Sequence, residues 1–261
     1  MYPVLFKLGP IHIYTYGFFL ALAFLSSIYL SAREAERQGL SRARFYDLCF
    51  YAVVGALVGS RLLYIITELP TFMAHPLKIF ALWEGGLIFH GGLVGATAAA
   101  FYYMRRHSIP WRPAFDSLAI GMPVGQALGR VGCFMAGCCY GAPSDLPWSV
   151  IFSNPETLCP IKEPLHPSQL YEAVLLMGAF GILYWLRTRK RFQGQVMLTY
   201  FMLAGTVRFA TEFVRNPLDY RGPIIIFNWP LTQVVALGIA VLSGMLLWWF
   251  WSRAEKANQA N

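Results

Sequence analysis

Seven times along this chain an apolar run reaches the length, about 20 residues, that an α-helix needs to cross a bilayer. The runs cover residues 14–32, 47–68, 86–104, 113–134, 168–186, 195–213 and 230–251. In lipid only a helix or a closed barrel satisfies its own backbone, and runs of this length read as helices. The expected fold is all-α and integral to the membrane: a seven-transmembrane-helix bundle, one domain over residues 1–261. Composition agrees, since 57% of residues are hydrophobic and only 13% are charged, against about a quarter in soluble domains. Arginines follow the first run rather than precede it, and the run is too long for a signal peptide, so it reads as a retained helix.

The net charge of +8 first suggests a nucleic-acid partner. That reading fails once the charges are placed, because most lie in short loops between apolar runs. Arg33, Arg37, Arg42, Arg44, Arg105, Arg106, Arg112, Arg187, Arg189, Lys190, Arg191, Arg253 and Lys256 fall on one side, and Lys7, Lys78, Lys162, Arg215 and Arg221 on the other. The richer side is cytoplasmic by the positive-inside rule, which places the N-terminus outside and the C-terminus inside. No internal repeat supports a transporter built from duplicated halves. Outside, residues 1–12 and 70–85 read as short amphipathic pieces lying on the membrane. Residues 136–167, rich in Pro, Cys and aromatics, read as a small cap. Trp248, Trp249 and Trp251 read as an interfacial belt at the inner end of the last span.

Three arginines remain inside spans: Arg61, Arg130 and Arg208. Each could snorkel to an interface or pair with an acid. Glu212, one turn after Arg208, is a suitable partner. Glu68 sits near an outer end, and Asp116 near an inner end, where a helix N-terminus and cytoplasmic water would stabilise it. The remaining positive charge lies towards the outer half, where a lipid phosphate is the available anion and arginine's fork fits its oxygens. Arg130 lies in GRVGCFMAGCCYG (129–141), whose glycines allow close approach. His90 lies in WEGGLIFHGGLVG; it reads as a structural histidine, or, with space opened by its flanking glycines, as a proton acceptor near a thiol. In HPSQLYE (166–172), Pro167 suits a first helical turn and Ser168 a cap. Gln169, Tyr171 and Glu172 are unusual on an apolar helix.

These motifs together resemble the prolipoprotein diacylglyceryl transferase family of bacterial inner membranes. The match is carried by TYG at 15–17, GSRLLY at 59–64, WEGGLIFHGG at 83–92, the GR…G frame at 129–141, HPSQLYE at 166–172 and RFATEFVRNP at 208–217. The resemblance implies transfer of the diacylglyceryl group of phosphatidylglycerol to the lipobox cysteine of a prolipoprotein signal peptide, giving a thioether and glycerol phosphate. It implies a multi-pass protein of the bacterial inner membrane with a periplasmic N-terminus and cap and a cytoplasmic C-terminus. Its partners would be these two substrates and membrane lipids, with no nucleic acid, cofactor or metal. Arg130, Arg208 and His90 match the family's essential residues. Tyr16, Arg61, Glu212 and Arg215 match sensitive positions around the site, and Gly91, Gly132, Cys133, Gly141, His166, Gln169 and Tyr171 complete the expected substrate-binding set. A thiolate is the nucleophile, so the substrate thiol must lose its proton, either to His90 or through an arginine-rich environment. Arg130 and Arg208 would stabilise the leaving phosphate.

The chain departs from the family pattern where Cys133, Ala136 and Cys138 stand for Asn, Asn and Glu, and Ala204 for Tyr. Cys133, Cys138, Cys139 and Cys159 fall at or beyond the outer surface, where thiols tend to pair. A disulfide from Cys138 or Cys139 to Cys159 would staple the cap. A four-cysteine metal site lacks the usual CxxC pairs. Cys49 reads as packing. Two other functions fit the same residues: a quinone-linked membrane thiol oxidoreductase using these cysteines, and a non-catalytic binder of anionic lipid.

Overall fold

The computed structural model describes residues 1–8, 11–81, 85–216, 224–226 and 229–259. Trp83, Glu84, Pro217 and Arg221 lie outside the described residues. In chain order the elements are β1 (Val4–Leu8), β2 (Ile11–Tyr14), α1 (Thr15–Arg37), α2 (Arg42–Thr67), α3 (Leu69–Ala74) and α4 (Phe89–Arg106). There follow α5 (Trp111–Ala136), α6 (Ser168–Leu186), α7 (Gln195–Thr211), β3 (Ile224–Ile226), β4 (Trp229–Pro230) and α8 (Leu231–Gln259).

Every expected apolar run contains a helix. Five are long and apolar enough to cross a membrane: Thr15–Arg37, Arg42–Thr67, Trp111–Ala136, Ser168–Leu186 and Leu231–Lys256. The remaining two runs form shorter helices, α4 with 18 residues and α7 with 17. α4 contains His90 and ends in Arg105 and Arg106, and α7 contains Arg208, which lowers the hydropathy of both. The chain is therefore an all-α multi-pass membrane protein. Near the end of α8, Trp248 and Trp249 are exposed and Arg253 lies 3.8 Å from the Trp249 ring.

The chain divides into two compact units, residues 1–34 with 115–261, and residues 35–114. In the first, Ala119, Ile120, Leu183, Val196 and Tyr200 form a core joining α5, α6 and α7. One end of this group is fixed by charge. Asp116 is fully buried; it accepts from Lys190 Nζ at 2.8 Å, Gly194 N at 2.9 Å and Met197 N at 3.1 Å. It is held by a lysine and, in line with the expected helix N-terminus, by the start of the neighbouring helix α7. Glu34, also buried, pairs with Arg187 at 3.1 Å.

Within residues 1–14, β1 and β2 pair antiparallel in the register Phe6↔Ile13, Lys7↔His12. This pair is tied to the cap by Lys7 Nζ to Glu156 Oε1 at 2.6 Å and Asn154 Nδ2 to Met1 O at 3.0 Å. The Thr15 hydroxyl, bonded to Tyr2 O, fixes its junction with α1. Residues 69–80 form α3 and a short 3-10 helix, with Phe72 buried while Met73, Leu77 and Phe80 are exposed. The cap over 136–167 has its own core of Tyr140, Phe152, Cys159 and Leu165.

In the second unit α2 and α4 meet backbone to backbone. A Cβ on Gly59 would lie 2.3 Å from Gly91 O, and one on Gly95 would lie 2.1 Å from Gly55 O. The pairs Gly55/Gly59 and Gly91/Gly95, each spaced four apart, form the small-residue seam that apolar helices use to pack in lipid.

Candidate active site

Arg130 on α5 and Arg208 on α7 converge on one carboxylate of α6. Arg130 Nη2 is 2.9 Å from Glu172 Oε1, and Arg208 Nη1 is 3.5 Å from Glu172 Oε2. Arg208 Nη2 also bonds Glu212 Oε2 at 2.9 Å, and Arg215 Nη1 reaches the same oxygen at 3.9 Å. The result is an alternating ladder of three guanidinium groups and two carboxylates, which leaves one positive charge. Arg130 and Arg208 retain 24% and 23% of their side-chain surface, against 11% for Glu172 and none for Glu212. Arg130 and Arg208 are reachable, whereas the carboxylates and Arg215 are largely enclosed. A guanidinium offers five N–H donors, so both arginines keep donors for a further anion while Glu172 fixes their spacing. The pairing of Arg208 with Glu212 follows the expected helical spacing. Glu172 was absent from the expected site; its signal was a lone carboxylate at the end of HPSQLYE on an apolar helix.

The loop frame around the ladder is built on Gly141. Gly141 N bonds His166 O at 3.0 Å, Ala142 N bonds Val214 O at 2.9 Å, and Gly141 and Arg215 form a β-bridge. A Cβ on Gly141 would lie 2.4 Å from His166 Cβ and 2.8 Å from Val214 O. Only glycine lets the segments carrying Arg130, His166 and Arg215 meet here. Gly132 has the same part towards α1: its Cβ would lie 3.3 Å from Tyr16 Cδ2. Tyr16 itself is 40% exposed.

HPSQLYE starts α6 differently from the expected cap. Pro167 is the N-cap and makes no side-chain cap bond. The Ser168 hydroxyl instead donates to Cys139 O at 3.0 Å, and Gln169 Nε2 to Cys138 O at 2.7 Å. Gln169 is buried and its Oε1 has no partner among the described residues. The Tyr171 hydroxyl accepts from Trp148 Nε1 at 2.7 Å and lies 3.3 Å from His166 Nδ1.

All five cysteines are free thiols, so the expected disulfide to Cys159 is not formed. Cys159 is buried in the apolar core of the cap, with its Sγ directed to Ile161 O at 3.4 Å. Cys133, Cys138 and Cys139 gather separately, with sulfurs within 4.8 Å of one another. Hydrogen bonds from Cys133, then Cys138, hold the Cys139 thiol well below its ordinary range, and Arg215 and Arg130 assist against the cost of burial. The same bonds to Cys133 and Cys139 push Cys138 up.

Arg61, His90 and Gly91 belong to the second unit. The Arg61 guanidinium donates to Ile79 O at 3.1 Å, Gly85 O at 2.7 Å, Gly86 O and Ala81 O at 3.3 Å, and to Lys78 O. Tyr64 and Phe72 cover its faces at 5.6 and 5.4 Å. It is buried, and it ties together the carbonyls of Lys78, Ile79 and Ala81 and of Gly85 and Gly86. His90 is exposed in the first turn of α4, edge-on to Phe89. The flanking glycines do not open space around its ring as expected: Gly91 packs on Gly59, and a Cβ on Gly92 would lie 3.3 Å from Ala56 O.

Residues 3–250 match the family model described as prolipoprotein diacylglyceryl transferase. Among curated relatives, the chain is 40% identical to the phosphatidylglycerol–prolipoprotein diacylglyceryl transferase of Geobacter sulfurreducens over 82% of each chain. It is 38% identical to that of Bordetella avium over 84% of each chain. It is 35% identical to that of Polaromonas sp., over 99% of this chain and 96% of the relative.

Proposed function

The chain belongs to the prolipoprotein diacylglyceryl transferase family, and from that premise we propose how its residues carry the reaction. It is a transferase that moves the diacylglyceryl group of phosphatidylglycerol to a prolipoprotein thiol. In the proposed step the lipobox cysteine of the signal peptide, as thiolate, attacks the glycerol carbon bearing the phosphate ester. A C–S bond forms, the C–O bond breaks, and glycerol phosphate leaves with the electron pair. The thiol proton goes to a base, for which His90 is the candidate, on the strength of the family motif.

The observation that carries this reading is the shared carboxylate of Glu172 between Arg130 and Arg208. Two partly exposed forks held at set spacing can take the phosphate as charge develops on it, without reorganising at that moment. Glu212 and Arg215 fix the second fork from behind. Tyr16, Cys133 and the buried acceptor Gln169 Oε1 surround the headgroup, and His166 and Tyr171 brace its outer wall. Gly132 and Gly141 let the walls close. Arg61 and Gly91 act by shaping the segment and helix that carry His90.

The proposed topology has seven spans in the bacterial inner membrane, with α4 and α7 joining the five longer helices. The N-terminus and the 136–167 cap are periplasmic and the C-terminus is cytoplasmic, as the loop cations support. The purified protein should convert a lipobox peptide and labelled phosphatidylglycerol into thioether product. Absence of product with folded protein in lipid would overturn the reading. Thiol oxidation gets no support from the family, so the clustered cysteines need another account.

A further inference from the structure

We propose that Cys133, Cys138 and Cys139 form a three-thiolate site for a soft, closed-shell cation of the zinc group. This inference does not rest on the transferase reading.

The three sulfurs lie within 4.8 Å of one another. A cation bound by thiolates at about 2.3 Å, trigonal or tetrahedral, needs sulfur–sulfur edges of about 3.8–4.0 Å. The thiols therefore need to close by less than about 1 Å, within reach of small χ1 adjustments. Each of the three is partly exposed, whereas Cys159 and Cys49 are buried elsewhere. An ion can enter this cluster and no other thiol group among the described residues.

The backbone holds the arrangement before any ion arrives. After α5 the chain reverses through Gly137, with φ +76°, and Cys139, with φ +60°. The amides of Gly137 and Cys138 both bond Cys133 O, at 3.0 and 3.1 Å. The carbonyls of Cys138 and Cys139 are fixed from α6 by Gln169 and Ser168. A left-handed cysteine persists only where its surroundings over-determine it, and here those surroundings return Cys138 and Cys139 to Cys133.

Chemistry selects the occupant. Three thiolates form a soft donor set that prefers zinc-group ions or copper(I) over magnesium or calcium. Three protein ligands leave a fourth position open to water or substrate. On binding, three S–metal bonds form, the protons still held by the thiols pass to water and no electron moves. Arg215 and Arg130 act on the Cys139 sulfur and offset part of the charge of the anionic complex.

The test is titration of reduced, metal-stripped, full-length protein in detergent with Cd2+, read by thiolate-to-cadmium absorption and by the ion content of the recovered protein. One equivalent should bind with saturation. Cys133→Ser, Cys138→Ser and Cys139→Ser should each weaken binding by about tenfold or more, and Cys159→Ser should leave it unchanged. No stoichiometric uptake by the reduced wild-type protein would overturn the site. So would uptake that survives each cluster substitution, or that depends on Cys159. A protein that forms a disulfide within the cluster in air but binds no ion after reduction would identify a redox pair instead.

Discussion

Arg130 and Arg208, on different helices, hold the two oxygens of the same Glu172 carboxylate. The bond of each arginine fixes where the other can be. Breaking a buried bridge by removing one partner leaves the others uncompensated.

Glu172→Gln should lower turnover by about 10- to 100-fold, the range in which loss of about 1 Å of positioning falls. The fall should appear in kcat more than in KM, because an amide keeps the shape but no longer fixes the forks. Transfer kinetics with labelled phosphatidylglycerol and a thermal melt will separate this from unfolding; full turnover would remove Glu172 from the clamp.

Arg208→Lys keeps the charge and loses the fork. Lysine cannot bond Glu172 and Glu212 while offering parallel donors to a phosphate. A loss of about 10²–10³ in kcat is expected, the range for removal of one transition-state donor. A rate near wild type would show that charge alone suffices.

Gly141→Ala should destabilise the protein by about 1–3 kcal/mol, because the methyl meets His166 and Val214 backbone at under 3 Å. Gly178→Ala is the control: nothing lies within 4 Å of its Cβ, and a helical Gly→Ala change gains about 0.5–1 kcal/mol. Melting temperatures in one detergent should move in opposite directions.

Asp116→Asn should cost about 3 kcal/mol or more, since it replaces a buried carboxylate facing Lys190 by a neutral amide and removes an anion from the start of α7. Transfer per folded molecule should change little, as Asp116 lies outside the proposed site. Retention of wild-type melting would show that the bridge adds nothing to stability.

The helices were legible because lipid allows one solution to a long apolar run, and the family motifs were legible because their residues are polar where lipid discourages polarity. Arg208 with Glu212 was legible from helical spacing. Glu172 was not, because its two partners sit on other helices and no local pattern joins them. The N-terminal hairpin carried a signal that was passed over: Gly9 and Pro10 between two β-prone runs, VLFKL and IHIY. The glycines around His90 misled because a residue that opens space in sequence can close it in structure. Gly91 draws α4 onto α2 through Gly59.

α7 is pinned at both ends, by Asp116 at Gly194 and Met197, and by Glu172 and Glu212 at Arg208. Between the pins the helix works as a gauge rod. One residue inserted there would advance Arg208 by about 1.5 Å and turn it by about 100°, away from Glu172. In the proposed reaction, the depth at which a phosphate is gripped is thus set from the far end of α7. In this stretch chain length should tolerate far less change than side-chain identity.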